Sequence, residues 1–144
     1  MDLRQIEALC KRISKRRRCG KRICGVKSAS VPDIGTAAHL FGLKAEDDIY
    51  DQVDEEFALV VLTTVLHRDM AYQAELMPKD EAAEFARRFI SAFPRDDRRI
   101  YTNGDLGHDP DGWVFNCATD ATIDSGILVT TPSVVGCLWF MDED

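Results

Sequence analysis

Leu3, Ile6, Leu9, Cys10 and Ile13 recur at steps of three and four, with charged or polar residues between them. That period predicts an amphipathic helix at the start of the chain, fading near Gly20 because glycine favours a helix stop. Residues 19–33 hold two glycines, Ser28, Ala29, Ser30 and Pro32 and read as a linker. Asp33 then caps a short helix over 33–43 that carries Ile34, Ala37, Ala38 and Leu40 and ends at Gly42.

From about Asp48 to Leu76, Ile49, Val53, Phe57, Val60, Val61, Thr64, Val65, Met70 and Ala71 keep helical spacing. One long helix is expected, its N-terminal half crowded with Asp47, Asp48, Asp51, Asp54, Glu55 and Glu56, which complement the helix dipole. The apolar run 57–66 makes this helix the hub of the core. Its β-branched residues Val60, Val61, Thr63, Thr64 and Val65 leave a strand open at the same place. Pro78 suits the first turn of a further helix, whose apolar face is Ala82, Phe85, Ala86, Phe89, Ile90 and Phe93 and whose stop is Pro94.

After Pro94 the period changes. Residues 100–102 predict a short strand before the turn signal Asn103-Gly104, and 105–112 is a loop rich in Asp, Gly and Pro. Strands follow at 113–118, 121–130 and 134–141, the last two forming an antiparallel hairpin about Thr131-Pro132-Ser133. The acidic end Asp142-Glu143-Asp144 would discourage edge pairing of the final strand. The expected fold is therefore α+β: about four N-terminal helices followed by a small antiparallel sheet of three to four strands.

Charge alters this picture. Residues 1–28 carry ten Lys or Arg against Asp2 and Glu7, a net +8, whereas the rest carries −15, so that the 144-residue chain totals −7. The division suggests a basic, helical N-terminal arm (1–28) on a single acidic domain (29–144). Arg16, Arg17, Arg18, Lys21 and Arg22 are the candidate phosphate contacts of such an arm. An acidic body suits a basic protein partner, whose approach it accelerates. No apolar run approaches the roughly 18–20 residues that cross a membrane, and the start lacks a secretory pattern, so a cytoplasmic protein is expected.

The five cysteines, Cys10, Cys19, Cys24, Cys117 and Cys137, are odd in number, which argues against a disulfide framework. Only the Cys19–Cys24 gap approaches zinc spacing, and His39 would have to complete that set. Cys117 and Cys137 read as small buried hydrophobes. The chain has no Gly-x-Ser-x-Gly elbow and no phosphate-binding glycine loop. Asp105, His108, Asp109 and Asp111 share a loop that offers cation ligands, although turn-forming preference explains the same residues and a calcium-loop order is missing. No cofactor is expected. Trp113, beside those carboxylates, fits either the core or an apolar anchor with a charged rim.

The C-terminal third, from Trp113-Val114 through Asp120-Ala121-Thr122-Ile123-Asp124-Ser125-Gly126-Ile127 to Cys137-Leu138-Trp139-Phe140-Met141-Asp142-Glu143-Asp144, resembles small acidic bacterial immunity proteins of toxin–immunity pairs. The resemblance implies a cytoplasmic, non-catalytic inhibitor that covers or locks its cognate toxin. The candidate docking residues are then Asp105, Asp109, Asp111, Trp113, Asp120, Asp124, Asp142, Glu143 and Asp144. Two other functions remain open: a nucleic-acid-associated regulator using the basic arm, and a small metal-dependent enzyme using the 105–111 loop.

Overall fold

The computed structural model describes residues 1–110 and 112–143. Its elements in chain order are helix α1 (Leu3–Arg16), strand β1 (Lys21–Ser28), helix α2 (Ile34–Leu40), a 3-10 turn (Asp47–Ile49), strand β2 (Asp51–Val53), helices α3 (Glu55–His67) and α4 (Lys79–Ser91), and strands β3 (Arg99–Thr102), β4 (Ile123–Thr130) and β5 (Val134–Asp142). The α+β class holds. The strands form one antiparallel sheet of five in the order β1-β5-β4-β3-β2, and the helices lie between strands rather than all before them.

Helix α1 forms as its period requires. Asp2 accepts the Arg4 N–H at its start, Lys15 and Arg16 complement the dipole at its end, and Ile6, Leu9, Cys10 and Ile13 are buried. The stretch expected as a linker instead holds β1, which pairs with β5 over eight residues, from Lys21 with Met141 to Ser28 with Val134. Cys24 and Val26 face the core with α1, so residues 3–28 are built into the domain. Gly25 and the flanking small residues hid this strand from a reading by composition.

The helix expected from 48 to 76 is shorter. Asp54 breaks it at the front by accepting the Phe57 N–H as an N-cap, which leaves 47–53 to a 3-10 turn and an edge strand. Asp69 ends it at the back, its carboxylate accepting the Tyr72 and Ala74 N–H groups in a tight turn with Gln73 at φ +60°. Between these stops the apolar run is helical and central, with Ala58, Val61, Leu62, Val65 and Leu66 buried. Helix α4 buries Ala82, Phe85, Ala86, Phe89 and Ile90 as its pattern predicts, and Phe93 follows them into the core. Asp33 caps α2 through Thr36, and the β4–β5 hairpin turns at 131–133. Residues 113–118 are not a strand and make only one bridge, from Phe115 to Gly104.

The sheet is covered on both faces. Ile100, Ile127, Val129, Leu138 and Phe140 meet α1, α3 and α4 on one side. Leu128, Cys137 and Trp139 meet Ala38, Leu43, Tyr50 and Ala118 on the other. Strand β5 is therefore internal, which overturns its expected place at a charged edge. Asp142 points inward and is 1% exposed, as is required by its partner Arg17, which is fully buried. Two parallel hydrogen bonds join them at 2.7 and 3.0 Å. Arg17 also donates to the Val65 and Cys19 carbonyls and lies over the Phe140 ring, while Asp142 accepts the Met70 N–H.

A disulfide joins Cys10 of α1 to Cys24 of β1, contrary to expectation from the odd cysteine count. The sequence spacing of 14 conceals that β1 returns beneath α1. Cys137 is buried as expected, and burial pushes its thiol ionisation up, whereas Cys117 is exposed.

Replacing Arg17 alone would strand a buried carboxylate. Arg17→Met is expected to lower stability in urea unfolding by ~3–5 kcal/mol. The double variant Arg17→Met/Asp142→Leu should lose less than Arg17→Met. A larger loss in the double variant would mean that the pair is not the unit of stability here.

Candidate protein-docking surface

Beyond β3, residues 103–105 pair with residues 114–116 to form a hairpin. Asn116 donates to the Asn103 carbonyl, Asp105 donates to the Val114 carbonyl, and Gly104 bridges Phe115. The Asp105 carboxylate accepts the Val114 N–H at 2.8 Å, and its carbonyl accepts the His108 N–H at 2.9 Å. Asp105 thus shapes the turn from within.

Three contacts pin this hairpin to α3 and the core. Leu106 is fully buried. Gly107, at φ +87°, lies against Thr64 and Val60, where a Cβ would collide with the Thr64 hydroxyl. His108 stacks on Phe57 with ring centroids 3.7 Å apart, its Nε2 facing the Phe57 carbonyl at 3.2 Å.

The root is held by a buried polar network. Asp124 is fully buried and accepts from Trp139 Nε1 (3.0 Å), Asn103 Nδ2 (3.1 Å), and the Ala118 and Thr119 N–H groups (both 3.1 Å). The Thr119 hydroxyl adds a fifth donor, and Ser125 donates to the Asn103 side-chain oxygen. Tyr50 packs edge-on against Trp139, and burial pushes its hydroxyl ionisation well up. Five donors on one carboxylate explain why a buried charge is stable here.

Apolar and acidic side chains both reach solvent on the hairpin and the neighbouring start of α3. Val114 is 77% exposed, Trp113 is half-buried against the main core, and Val60 of α3 is 38% exposed. Asp109 is exposed on the same loop, and Asp54 and Glu56 are exposed in the first turns of α3 around Phe57. The adjoining segment 46–56 carries seven carboxylates and no lysine or arginine.

The expected docking residues therefore separate. Asp105, Asp109 and Trp113 share the hairpin. Asp120 and Glu143 lie instead beside Cys19, Gly20 and Lys21, with Glu143 bonded to Thr122. Asp124 and Asp142 are internal hydrogen-bond acceptors and present nothing to a partner, a correction that follows from both faces of β4 and β5 being covered. Asp111 and Asp144 lie outside the described residues. Val60 and Val114 were not among the docking candidates drawn from the sequence, although Val114 lies between Trp113 and Phe115 in a loop too short of pairing to hide all three.

The basic candidates also separate. Arg17 is buried on Asp142, Arg16 pairs with Glu81 of α4 at 2.6 Å, and Arg18 bonds the Lys15 carbonyl. Lys21 is exposed and Arg22 half-buried. Arg16 holds the Glu81 carboxyl below the usual range. As for catalysis, His67 faces the Met77 carbonyl with Nδ1, and His108 is committed to Phe57. Cys24 is bonded to Cys10, and among the described residues no three His, Cys, Asp or Glu side chains are placed to hold a metal. Nor is any helix long and apolar enough to cross a membrane among those residues.

Compared with protein-family models, with curated proteins and with solved structures, the chain finds no match.

Asp124→Ala removes the acceptor from the Trp139 indole, Asn103 and two backbone N–H groups. A loss of about 3 kcal/mol or more in unfolding is expected, with faster amide exchange throughout 103–122. Gly107→Ala should instead leave the core intact and raise exchange in the 104–110 segment alone. Slow, wild-type exchange in that variant would show that the close approach to Thr64 does not hold the hairpin.

Proposed function

We propose that the chain is a non-catalytic protein-binding module of the immunity or antitoxin type, which neutralises a basic partner protein by seating the 103–116 hairpin over that partner's active site. The observation that carries this reading is Val114, 77% exposed beside Trp113 on a hairpin pinned at Leu106, Gly107 and His108. Val114 offers apolar surface to a partner, and a pinned hairpin loses little entropy on docking.

The physical division of labour follows. Val114 and the Trp113 ring supply the desolvated centre of the contact. Asp109, Asp54 and Glu56 form the rim and steer a cationic surface toward it, chiefly by raising the association rate. Against an enzyme that acts on a polyanion or a nucleotide, these carboxylates would occupy the place of the substrate's phosphates. Asp120 and Glu143, on a neighbouring part of the molecule, extend the acidic field without joining the centre.

A tagged chain drawn from an extract of its native cells, with nuclease present, should retain one basic protein at equal stoichiometry. Val114→Asp should weaken binding of that protein about tenfold or more, consistent with loss of a central anchor. Neutralising Asp109 and Glu56 should lower the association rate and flatten its salt dependence. Unchanged affinity in Val114→Asp, no stoichiometric protein, or capture of nuclease-sensitive nucleic acid alone would each overturn the reading.

A further inference from the structure

The Cys10–Cys24 bridge lies in the floor of a surface groove whose walls are Glu7, Lys11, Ser14 and Lys15 of α1. Cys10 is 8% exposed, and Cys24, on the outermost strand of the sheet, is half-buried. Two lysines against one glutamate in its lining give the groove a net cationic character. Such surroundings attract an anionic thiolate and stabilise the thiolate that leaves when a disulfide is attacked.

We propose that Cys10–Cys24 is a reversible modification site for anionic low-molecular-weight thiols, of which a glutathione-type peptide thiol is the model. The thiolate attacks Sγ of Cys24, the residue of the pair on the open edge strand and the less buried of the two. The Cys10–Cys24 bond breaks, and Cys10 leaves as a thiolate that takes a proton from water. A mixed disulfide remains on Cys24. A second thiolate attacks the small-molecule sulfur of that mixed disulfide, releasing Cys24 and the oxidised small thiol. In sum, two small thiols are oxidised to one disulfide, and the protein bridge is reduced to two thiols.

Two features keep this exchange local. Ile6, Leu9 and Ile13 are buried, and Arg17 is bonded to Asp142, so α1 stays seated when the bridge opens. The exposed Cys19 thiol is the other cysteine in this segment. Its ionisation is pushed up by burial and by the Asp142 and Asp69 charges, so it competes poorly as an internal attacker. Reduction therefore leaves a folded domain in which β1 is freed of its covalent tie and Cys24 can carry a small-thiol adduct.

The test uses the full, oxidised chain without denaturant at neutral pH. It is exposed in turn to glutathione, to neutral 2-mercaptoethanol and to cationic cysteamine, then alkylated and weighed. Glutathione should open the bridge, with the mixed disulfide mapping to Cys24, while circular dichroism stays native. In the variant Lys11→Gln/Lys15→Gln the ratio of the glutathione rate to the cysteamine rate should fall at least about threefold, as expected for loss of local charge attraction. Because both rates come from the same variant, a general loosening of the fold would raise them together and leave the ratio unchanged. A bridge that resists all three thiols until the protein is unfolded would overturn the proposal. So would an adduct found only on Cys10, or a rate ratio that the lysines do not affect.

Discussion

The Arg17–Asp142 ion pair is the constraint on which the rest of the architecture depends. It joins the end of the first helix to the end of the last strand, and both members are removed from water. A buried ion pair is stable only when its remaining hydrogen-bonding capacity is also met. Here the Val65 and Cys19 carbonyls take two more guanidinium protons and the Met70 amide takes part of the carboxylate. The pair thereby fixes α1, α3, the turn after α3 and β5 relative to one another. A helix that its charge alone would make an appendage becomes one wall of the core.

The second organising element is the Asp124 carboxylate on the opposite face of the sheet. Trp139 would bury an unsatisfied indole N–H without it, and the 116–119 segment would have unpaired backbone donors. By gathering these donors it gives the 103–116 hairpin a rigid base. Val114, paired with Asp105 close to that base, is then held in solvent. An exposed apolar anchor on a flexible loop would be a weak recognition element, whereas one on a fixed base is preorganised. The groove beside the Cys10–Cys24 bridge lies at the opposite edge of the sheet from β2, so the proposed thiol exchange and the proposed docking draw on separate parts of the fold.

Of the candidate surface, Asp109 was legible in the residues themselves as an exposed loop carboxylate, whereas Asp105 turns its carboxylate onto the Val114 N–H and Trp113 is half-buried against the core. Asp124 and Asp142 were not legible as internal groups, because a carboxylate in a strand looks the same whether it faces water or a hidden donor. The same holds for Arg17, which sits in the densest basic run of the chain and yet is the most deeply enclosed cation in it. Charge counted along a chain describes the surface only where tertiary pairing has not withdrawn some of it.

Short-range chemistry in the sequence determined α1, α2, the core of α3, α4, β3 and the β4–β5 hairpin. Each rests on a period, a cap or a turn within a few residues. Tertiary structure alone decided that 21–28 is a strand, since its mixed basic, small and apolar residues acquire that role only by pairing with β5. It likewise decided that Cys10 meets Cys24, that β5 is internal to the sheet, and that Val114 is exposed. These are outcomes of contacts between residues far apart in sequence, and no local period encodes which distant partner will cover a given face.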